Sequence, residues 1–279
     1  MHRRAFLKHA AFVFVSLNTP VAFAGRPEIS VKNTASVFDP HIKDLLGKKR
    51  LFNKVYDEDI FLSSSQLPLL DASLFRLQKM QKIVGYGNFS LLNFDDAIKI
   101  SKSYSTVGSF SKQELDFLEM LFYSRVDEYG FMGEKPIKTI TGKIIKKEVK
   151  KIAHTGNYLY RGKPMEMYDK LKKEIGPDVT LTSGVRSIMK QFLLFLNKAK
   201  ASNGNLSMAS RSLAPPGYSF HGVGDFDVGK IGFGVHNFTE QFTRTDVYEK
   251  LTRLGYLKFR YEQNNNLGVR FEPWHIEVV

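Results

Sequence analysis

Apolar residues recur at helical spacing through much of the first half of the chain, and the second half adds short runs in which they alternate. The clearest helical pattern covers residues 112–126. Its apolar stripe consists of Leu115, Leu118, Leu121 and Phe122. Ser111 and Glu114 stand where a capping box would satisfy the first backbone N–H groups of a helix. The pattern therefore predicts a helix over 112–126.

Weaker patterns predict two more helices in this half, over 69–84 and 94–100. Asn93 is a typical cap for the second of them. Residues 25–60 are polar and lack a clear period, so we expect an irregular lead-in. We therefore predict a mainly helical N-terminal region over residues 25–150, of unknown role.

The second half of the chain, residues 151–279, mixes predicted strands with predicted helices. Strands are expected at 179–182, 226–235, 256–261 and 269–279, and helices at 188–198 and 245–254. Glycines at 229, 232 and 234 are expected to bend or bulge the second strand. This order favours an α+β domain in which a small antiparallel sheet is flanked by helices.

Residues 1–24 are typical of an export signal, with a cationic start, an apolar run and an A-F-A cleavage site at 22–24. The sequence R-R-A-F-L-K at 3–8 resembles the twin-arginine export motif. An ordinary secretory signal that carries two arginines is the alternative. Either signal predicts that the export machinery recognises residues 1–24 and delivers the protein to the periplasm. No later segment resembles a membrane span.

Charge and cysteine content narrow the choice of partners and ligands. The formal net charge of +13 favours anionic partners such as nucleic acid, anionic lipid or a cell-wall polymer, without choosing among them. The chain has no cysteine, which excludes disulfides and thiolate metal sites. Any metal ion must therefore be held by nitrogen and oxygen atoms.

Candidate chemistry is concentrated in two segments, S-F-H-G-V-G-D-F-D at 219–227 and E-P-W-H at 272–275. Together they offer two imidazoles and a carboxylate for one metal ion, and a second carboxylate to take a proton from water. A hydrolytic zinc site needs these parts. Glu272 and His275 would face opposite sides of a flat strand, so the hypothesis requires a twist or bulge at Pro273.

A third segment, S-G-V-R-S at 183–187, joins a predicted strand to a predicted helix. An arginine at such a junction is well placed to reach into a cleft, where its planar charge suits a carboxylate or an oxyanion. Taken alone, Arg186 would be interpreted as a surface residue.

Taken together, the three segments resemble the VanY-like zinc D-alanyl-D-alanine carboxypeptidases and dipeptidases of peptidoglycan. The elements are S-G-x-R-S, S-x-H-x-x-G-x-x-D and E-x-W-H, over about residues 178–279. The resemblance implies a zinc ion held by His221, Asp227 and His275. It also implies that Glu272 is the catalytic base.

The same resemblance implies that Arg186 is catalytic, binding the substrate or stabilising the oxyanion. Ser219 would support the substrate site and Gln191 would line the cleft. The sequence departs from the family at Asp225, where alanine is usual, and at Val185, where an aromatic residue is common. Neither departure removes a ligand.

We therefore expect an exported zinc peptidase that trims peptidoglycan stem peptides, as a D,D-carboxypeptidase that removes a terminal D-Ala. An L,D-carboxypeptidase or a peptidoglycan endopeptidase on the same site is the nearest alternative. A non-catalytic cell-wall binding protein is the alternative of a different class. Export and the lack of a nucleic-acid-binding motif oppose a nucleic-acid partner.

Overall fold

The computed structural model describes residues 40–279, so the predicted export signal at 1–24 lies outside the described residues. The described residues fall within one compact unit, Phe38–Val279. Its α-helices are α1 (Pro40–Arg50), α2 (Leu67–Val84), α3 (Tyr86–Phe89), α4 (Phe94–Ser103), α5 (Lys112–Tyr123), α6 (Lys163–Ile175), α7 (Ile188–Ala201), α8 (Leu206–Ser212) and α9 (Asp246–Thr252). Its strands are β1 (Val149–Lys151), β2 (Tyr158–Tyr160), β3 (Val179–Ser183), β4 (Phe226–Lys230) and β5 (His275–Ile276).

Local capping signals fix the starts of the helices in the first half. Ser111 Oγ accepts a hydrogen bond from Glu114 N at 3.2 Å, and Glu114 Oε2 accepts one from Ser111 N at 2.7 Å. The predicted capping box is therefore confirmed, and α5 ends at Tyr123, three residues earlier than predicted. Asn93 Oδ1 likewise accepts from Asp96 N at the start of α4.

The largest apolar core joins the helices of the first half to α7. Leu77 of α2 and Phe122 of α5 are fully buried in it. From α7, Phe192 and Phe195 enter the same core. The mainly helical region predicted over 25–150 thus packs on a helix of the predicted peptidase domain. The boundary at residue 150 stays a prediction.

A second core lies under a three-stranded antiparallel sheet with the order β3-β4-β5. Leu181 of β3 pairs with Val228 of β4, and an irregularity after Leu181 then brings Ser183 opposite Asp227. On the other side of β4, Asp227 pairs with His275 of β5. Helices α6 and α9 contribute further residues to this core. The α+β class is confirmed.

The second half contains less strand than predicted. Strand β4 ends at Lys230, and residues 234–238 form a 3₁₀ turn, because Gly232 and Gly234 adopt φ of 78° and 55°. The prediction of a strand at 256–261 is wrong, since only an isolated β-bridge between Phe259 and Ile276 forms there. Of the strand predicted at 269–279, only His275–Ile276 is observed, because turns occupy the residues before it.

The hydrophobic pattern did not predict several of the helices. Helix α1 lies within the lead-in expected to be irregular, and α6 and α8 were not predicted. Among residues 40–279, no helix combines the length and apolarity that crossing a bilayer requires.

Candidate metal centre and adjoining cavity

His221 lies in a 3₁₀ turn, Phe220–Gly222, just before β4. Its side chain is buried, and Nδ1 lies 2.8 Å from the carbonyl oxygen of Gly184. Because a carbonyl only accepts hydrogen bonds, Nδ1 carries the proton and Nε2 is left with a lone pair. His221 therefore offers Nε2 as a metal ligand.

Asp227 and His275 are neighbours because they form a cross-strand pair between β4 and β5. His221 Nε2 and His275 Nδ1 each lie 3.2 Å from Asp227 Oδ1. The three candidate ligand atoms lie within 4.8 Å of one another, and all three residues are buried. The structure thus brings together two residues of one segment and a third that is 48 positions away in the sequence.

Two unsatisfied atoms show that this group fits a metal ion. His221 Nε2 and Asp227 Oδ1 are buried and have no hydrogen-bond partner among the described residues. Leaving such atoms unpaired in a protein interior is costly. A cation between two imidazole nitrogens and a carboxylate oxygen would satisfy both, and this donor set suits zinc.

Glu272 is brought to the same place by a turn. His275 N donates to Glu272 O at 3.1 Å, so residues 272–275 turn instead of running straight. Glu272 Oε2 lies 3.7 Å from His275 Nδ1. The bend that the site hypothesis required at Pro273 is therefore present, and Glu272 and His275 face the same side.

Burial and neighbouring charges together shift the pKa values of these residues. Burial raises the pKa of Glu272 to about 7. Burial, with Arg186 nearby, lowers the pKa of His221 to about 4. Burial opposes the charged form of His275, but the Asp225 and Asp227 carboxylates outweigh it and raise its pKa to about 9. Burial likewise opposes ionisation of Asp227, but His221 and Arg186 hold the pKa of Asp227 well below its usual range.

Arg186 is anchored at two points beside the ligands. Its Nε donates to Ser183 Oγ at 2.9 Å, and its Nη2 donates to Asp227 Oδ2 at 2.5 Å. Hydrogen bonds among the described residues leave Nη1 of Arg186 unused. The guanidinium is thus fixed in direction while it keeps donors for another group.

The remaining predicted site residues lie behind this arrangement. The amide nitrogen of Gln191 donates to Arg186 O at 3.0 Å, and its amide oxygen accepts from Gly217 N at 2.8 Å. Gln191 is buried and does not line the cavity described below, so it braces the backbone instead of lining the cleft. Ser219 is buried at the start of the 3₁₀ turn that carries His221, also away from the cavity lining.

A cavity of about 340 Å³ opens beside the candidate ligands. Asp227, Glu272 and Arg186 line one part of it. Lys190 and Arg270 line it as well, and neither forms an ion pair with another described residue. Burial lowers the pKa of Lys190 to about 8, and Arg186 adds to the effect.

Sequence reasoning missed Lys190 and Arg270. The signal that could have found them is their closeness to the motifs, because Lys190 follows Arg186 by four positions and Arg270 precedes Glu272 by two. The helical region also reaches the cavity through Ser90, whose carbonyl accepts from Ser187 N at 2.8 Å. No pattern in the first half of the sequence indicated this contact.

Comparisons with known proteins agree with the motifs. The model of the VanY family, described as D-alanyl-D-alanine carboxypeptidase, matches residues 163–279. No curated protein sequence matches the chain.

Two solved structures are similar to part of this chain. One is of the LdcB LD-carboxypeptidase (24% identity, TM-score 0.38), and the match covers 47% of this chain and 63% of that one. The other is a mutant of the vancomycin resistance D,D-pentapeptidase VanY in complex with Zn(II) (23% identity, TM-score 0.39), covering 47% of this chain and 78% of that one. The chain thus spans less than two thirds of the LdcB chain.

The resemblance predicted from the motifs at 183–187, 219–227 and 272–275 is confirmed, because all three segments lie within the match. The part of this chain that is similar to the VanY family of D-alanyl-D-alanine carboxypeptidases is thus residues 163–279.

Proposed function

We propose that this protein is an exported zinc-dependent peptidase that removes the terminal D-Ala from peptidoglycan stem peptides. One observation carries the proposal. His221 Nε2, Asp227 Oδ1 and His275 Nδ1 converge beside a cavity that Asp227 and Glu272 line. Three nitrogen and oxygen ligands with an adjacent carboxylate are the parts of a hydrolytic zinc site.

His221, Asp227 and His275 would hold the zinc ion. When bound there, zinc supplies Lewis acidity to the reaction. The ligands come from two rigid elements, the 3₁₀ turn with β4 and the strand β5, and each imidazole ring has a hydrogen bond on its other nitrogen. A site supported in this way holds its ligands in place before the substrate arrives.

Glu272 would act as general base and then as general acid. With a pKa raised to about 7 by burial, it can accept a proton from water and return it to the leaving amine. Its position in the cavity lining supports this role, because a substrate in the cavity would meet the carboxylate.

Arg186 would hold the negative charge that develops on the scissile carbonyl. Its bonds to Ser183 and Asp227 fix the guanidinium before reaction, which is the condition under which such electrostatic stabilisation is most effective. Ser219 would support the turn that carries His221, so its contribution to substrate binding would be indirect.

Lys190 and Arg270 favour a substrate that carries a carboxylate. Both side chains line the cavity without an acidic partner in the described part of the chain. The carboxylate of a terminal D-Ala would meet this positive wall while its peptide bond lies near Glu272. A peptide of the cell wall also agrees with the export signal predicted at residues 1–24, which would place the enzyme in the periplasm.

Digestion of defined muropeptides tests the proposal. Purified protein with one zinc ion per chain is incubated with a pentapeptide and a tetrapeptide substrate, with and without a chelator, and the products are weighed by mass spectrometry. Chelator-sensitive loss of one D-Ala from the pentapeptide is expected. Loss of D-Ala from the tetrapeptide alone would indicate an L,D-carboxypeptidase, and internal cleavage an endopeptidase. Binding without any cleavage would favour a non-catalytic cell-wall protein.

A further inference from the structure

Asp225 lies behind the candidate metal ligands and contacts one of them directly. Its side chain is fully buried, although it is a carboxylate. Asp225 Oδ2 lies 3.0 Å from Nε2 of His275, the ring nitrogen on the far side from Asp227. An ionised carboxylate only accepts hydrogen bonds, so Nε2 of His275 donates to it.

This contact determines which nitrogen of His275 is available. A metal ion binds only a neutral imidazole, so Nδ1 must release its proton, and with the remaining proton held on Nε2 the lone pair is on Nδ1, which faces Asp227. His221 has the opposite arrangement, because its Nδ1 donates to Gly184 O and its Nε2 faces Asp227. The two imidazoles thus turn different nitrogens towards Asp227. In each ring, the hydrogen-bond partner of the other nitrogen determines which one this is.

Asp225 is itself held by several donors. Arg260 donates to both of its oxygens, and the backbone N–H groups of Val278 and Val279 donate to Oδ1 at 2.9 and 3.3 Å. The Arg260 guanidinium also stacks 3.6 Å from the ring centre of Phe220, next to His221. These contacts leave the carboxylate little freedom to turn away from His275.

We propose that Asp225 is a positioning residue that fixes His275 in the tautomer in which Nδ1 binds the metal ion. The inference rests on the metal site of the proposed function, but not on its substrate. A carboxylate behind a metal-binding histidine orients the ring and makes the ligand more basic.

Zinc affinity and the histidine tautomer test the role without relying on hydrolysis. The variants are Asp225→Ala, which removes the acceptor, and Asp225→Asn, which keeps an amide oxygen within reach of Nε2. We expect Asp225→Ala to bind zinc roughly 10- to 100-fold more weakly in competition with a chelator, with partial recovery in Asp225→Asn. Nitrogen-15 NMR of the zinc-loaded wild type should show a protonated Nε2 and a ligated Nδ1 for His275.

Arg260→Ala is the matched control, because it breaks the Asp225–Arg260 pair and leaves the acceptor for His275 in place. If Asp225 only anchors the residues around Val278, Asp225→Ala will lose thermal stability as Arg260→Ala does and bind zinc like the wild type. That result, or a protonated Nδ1 on His275, would overturn the inference. Failure of the wild type to bind zinc would overturn both proposals, whereas zinc binding without muropeptide cleavage would overturn only the proposed substrate.

Discussion

At the scale of single residues, Glu272 separates metal binding from chemistry. It lies beside the candidate ligands but is not one of the three whose atoms converge. We expect Glu272→Ala to retain one zinc ion per chain and to lose at least about 100-fold in kcat, because the general base is removed. His221→Ala should lose both zinc and activity. Metal analysis together with muropeptide kinetics measures the two effects.

The surface variant Glu262→Gln is the control for that comparison, since Glu262 is exposed and lies outside the cavity lining. It should match the wild type in both measurements. Wild-type rates in zinc-loaded Glu272→Ala would remove Glu272 from the mechanism.

The charge of Lys190 should lower the stability of the folded protein and, at the same time, help to bind the substrate. Burial lowers its pKa from 10.5 to about 8 in the folded protein. Between these two values the unfolded chain binds more protons, so the free energy of unfolding should rise with pH from about 8 to 10.5. Lys190→Met should make that rise smaller but not remove it, because burial also lowers the pKa of Lys49 to about 8. It should also increase stability at pH 7 by on the order of 1 kcal/mol, because no charge is then buried.

The same variant should raise KM several-fold, since the cavity loses a positive charge. Urea unfolding across this pH range and steady-state kinetics provide the two readouts, and the exposed Lys173→Met is the control. If Lys190→Met leaves the pH dependence of the free energy of unfolding unchanged, burial does not lower the pKa of Lys190. An unchanged KM would remove it from substrate binding.

At the scale of elements, local signals were readable from the sequence and long-range pairings were not. The cap of α4 at Asn93 and the capping box of α5 depend on residues three positions apart, so the sequence alone predicts them. Strand β5 is only two residues long and exists because His275 and Ile276 pair with β4, about 50 positions earlier. No local period encodes such a pairing. The resemblance carried by the motifs nevertheless singled out His221, Asp227 and His275 as candidate ligands, and these three residues lie together in the structure.

Gly184 is an element-scale position that should be sensitive to change. A Cβ atom there would lie 2.0 Å from the carbonyl oxygen of Tyr158, and the carbonyl of Gly184 accepts from His221 Nδ1. Gly184→Ala must therefore push β2 away or shift the acceptor. We expect a loss of about 1–3 kcal/mol in stability and weaker zinc binding, measured by thermal unfolding and chelator competition.

Gly255→Ala is the matched control, because a Cβ atom at Gly255 meets nothing within 4 Å. It should leave zinc affinity unchanged. Equal zinc affinity in both variants would mean that the Gly184 carbonyl does not position His221.

At the scale of the whole molecule, the helical region predicted over 25–150 should be needed for the site to form. Fully buried Phe192 and Phe195 of α7 share a core with Leu77 and Phe122. The same helix begins next to Arg186 and carries Lys190 into the cavity. A chain of residues 151–279 alone would expose this apolar face of α7, which favours association or loss of fixed packing.

We therefore expect residues 151–279 to self-associate and to bind zinc weakly, whereas residues 38–279 should unfold cooperatively as a monomer. Trp274 is the one tryptophan of the chain and is buried in the cavity wall, so its fluorescence reports on the site in both proteins. Size-exclusion chromatography, chelator competition and fluorescence-detected unfolding make the comparison. A monomeric 151–279 fragment with a cooperative transition and full zinc affinity would contradict this expectation. It would show that the domain boundary predicted at residue 150 divides two parts that fold independently, and that the helices before it serve something other than the metal site.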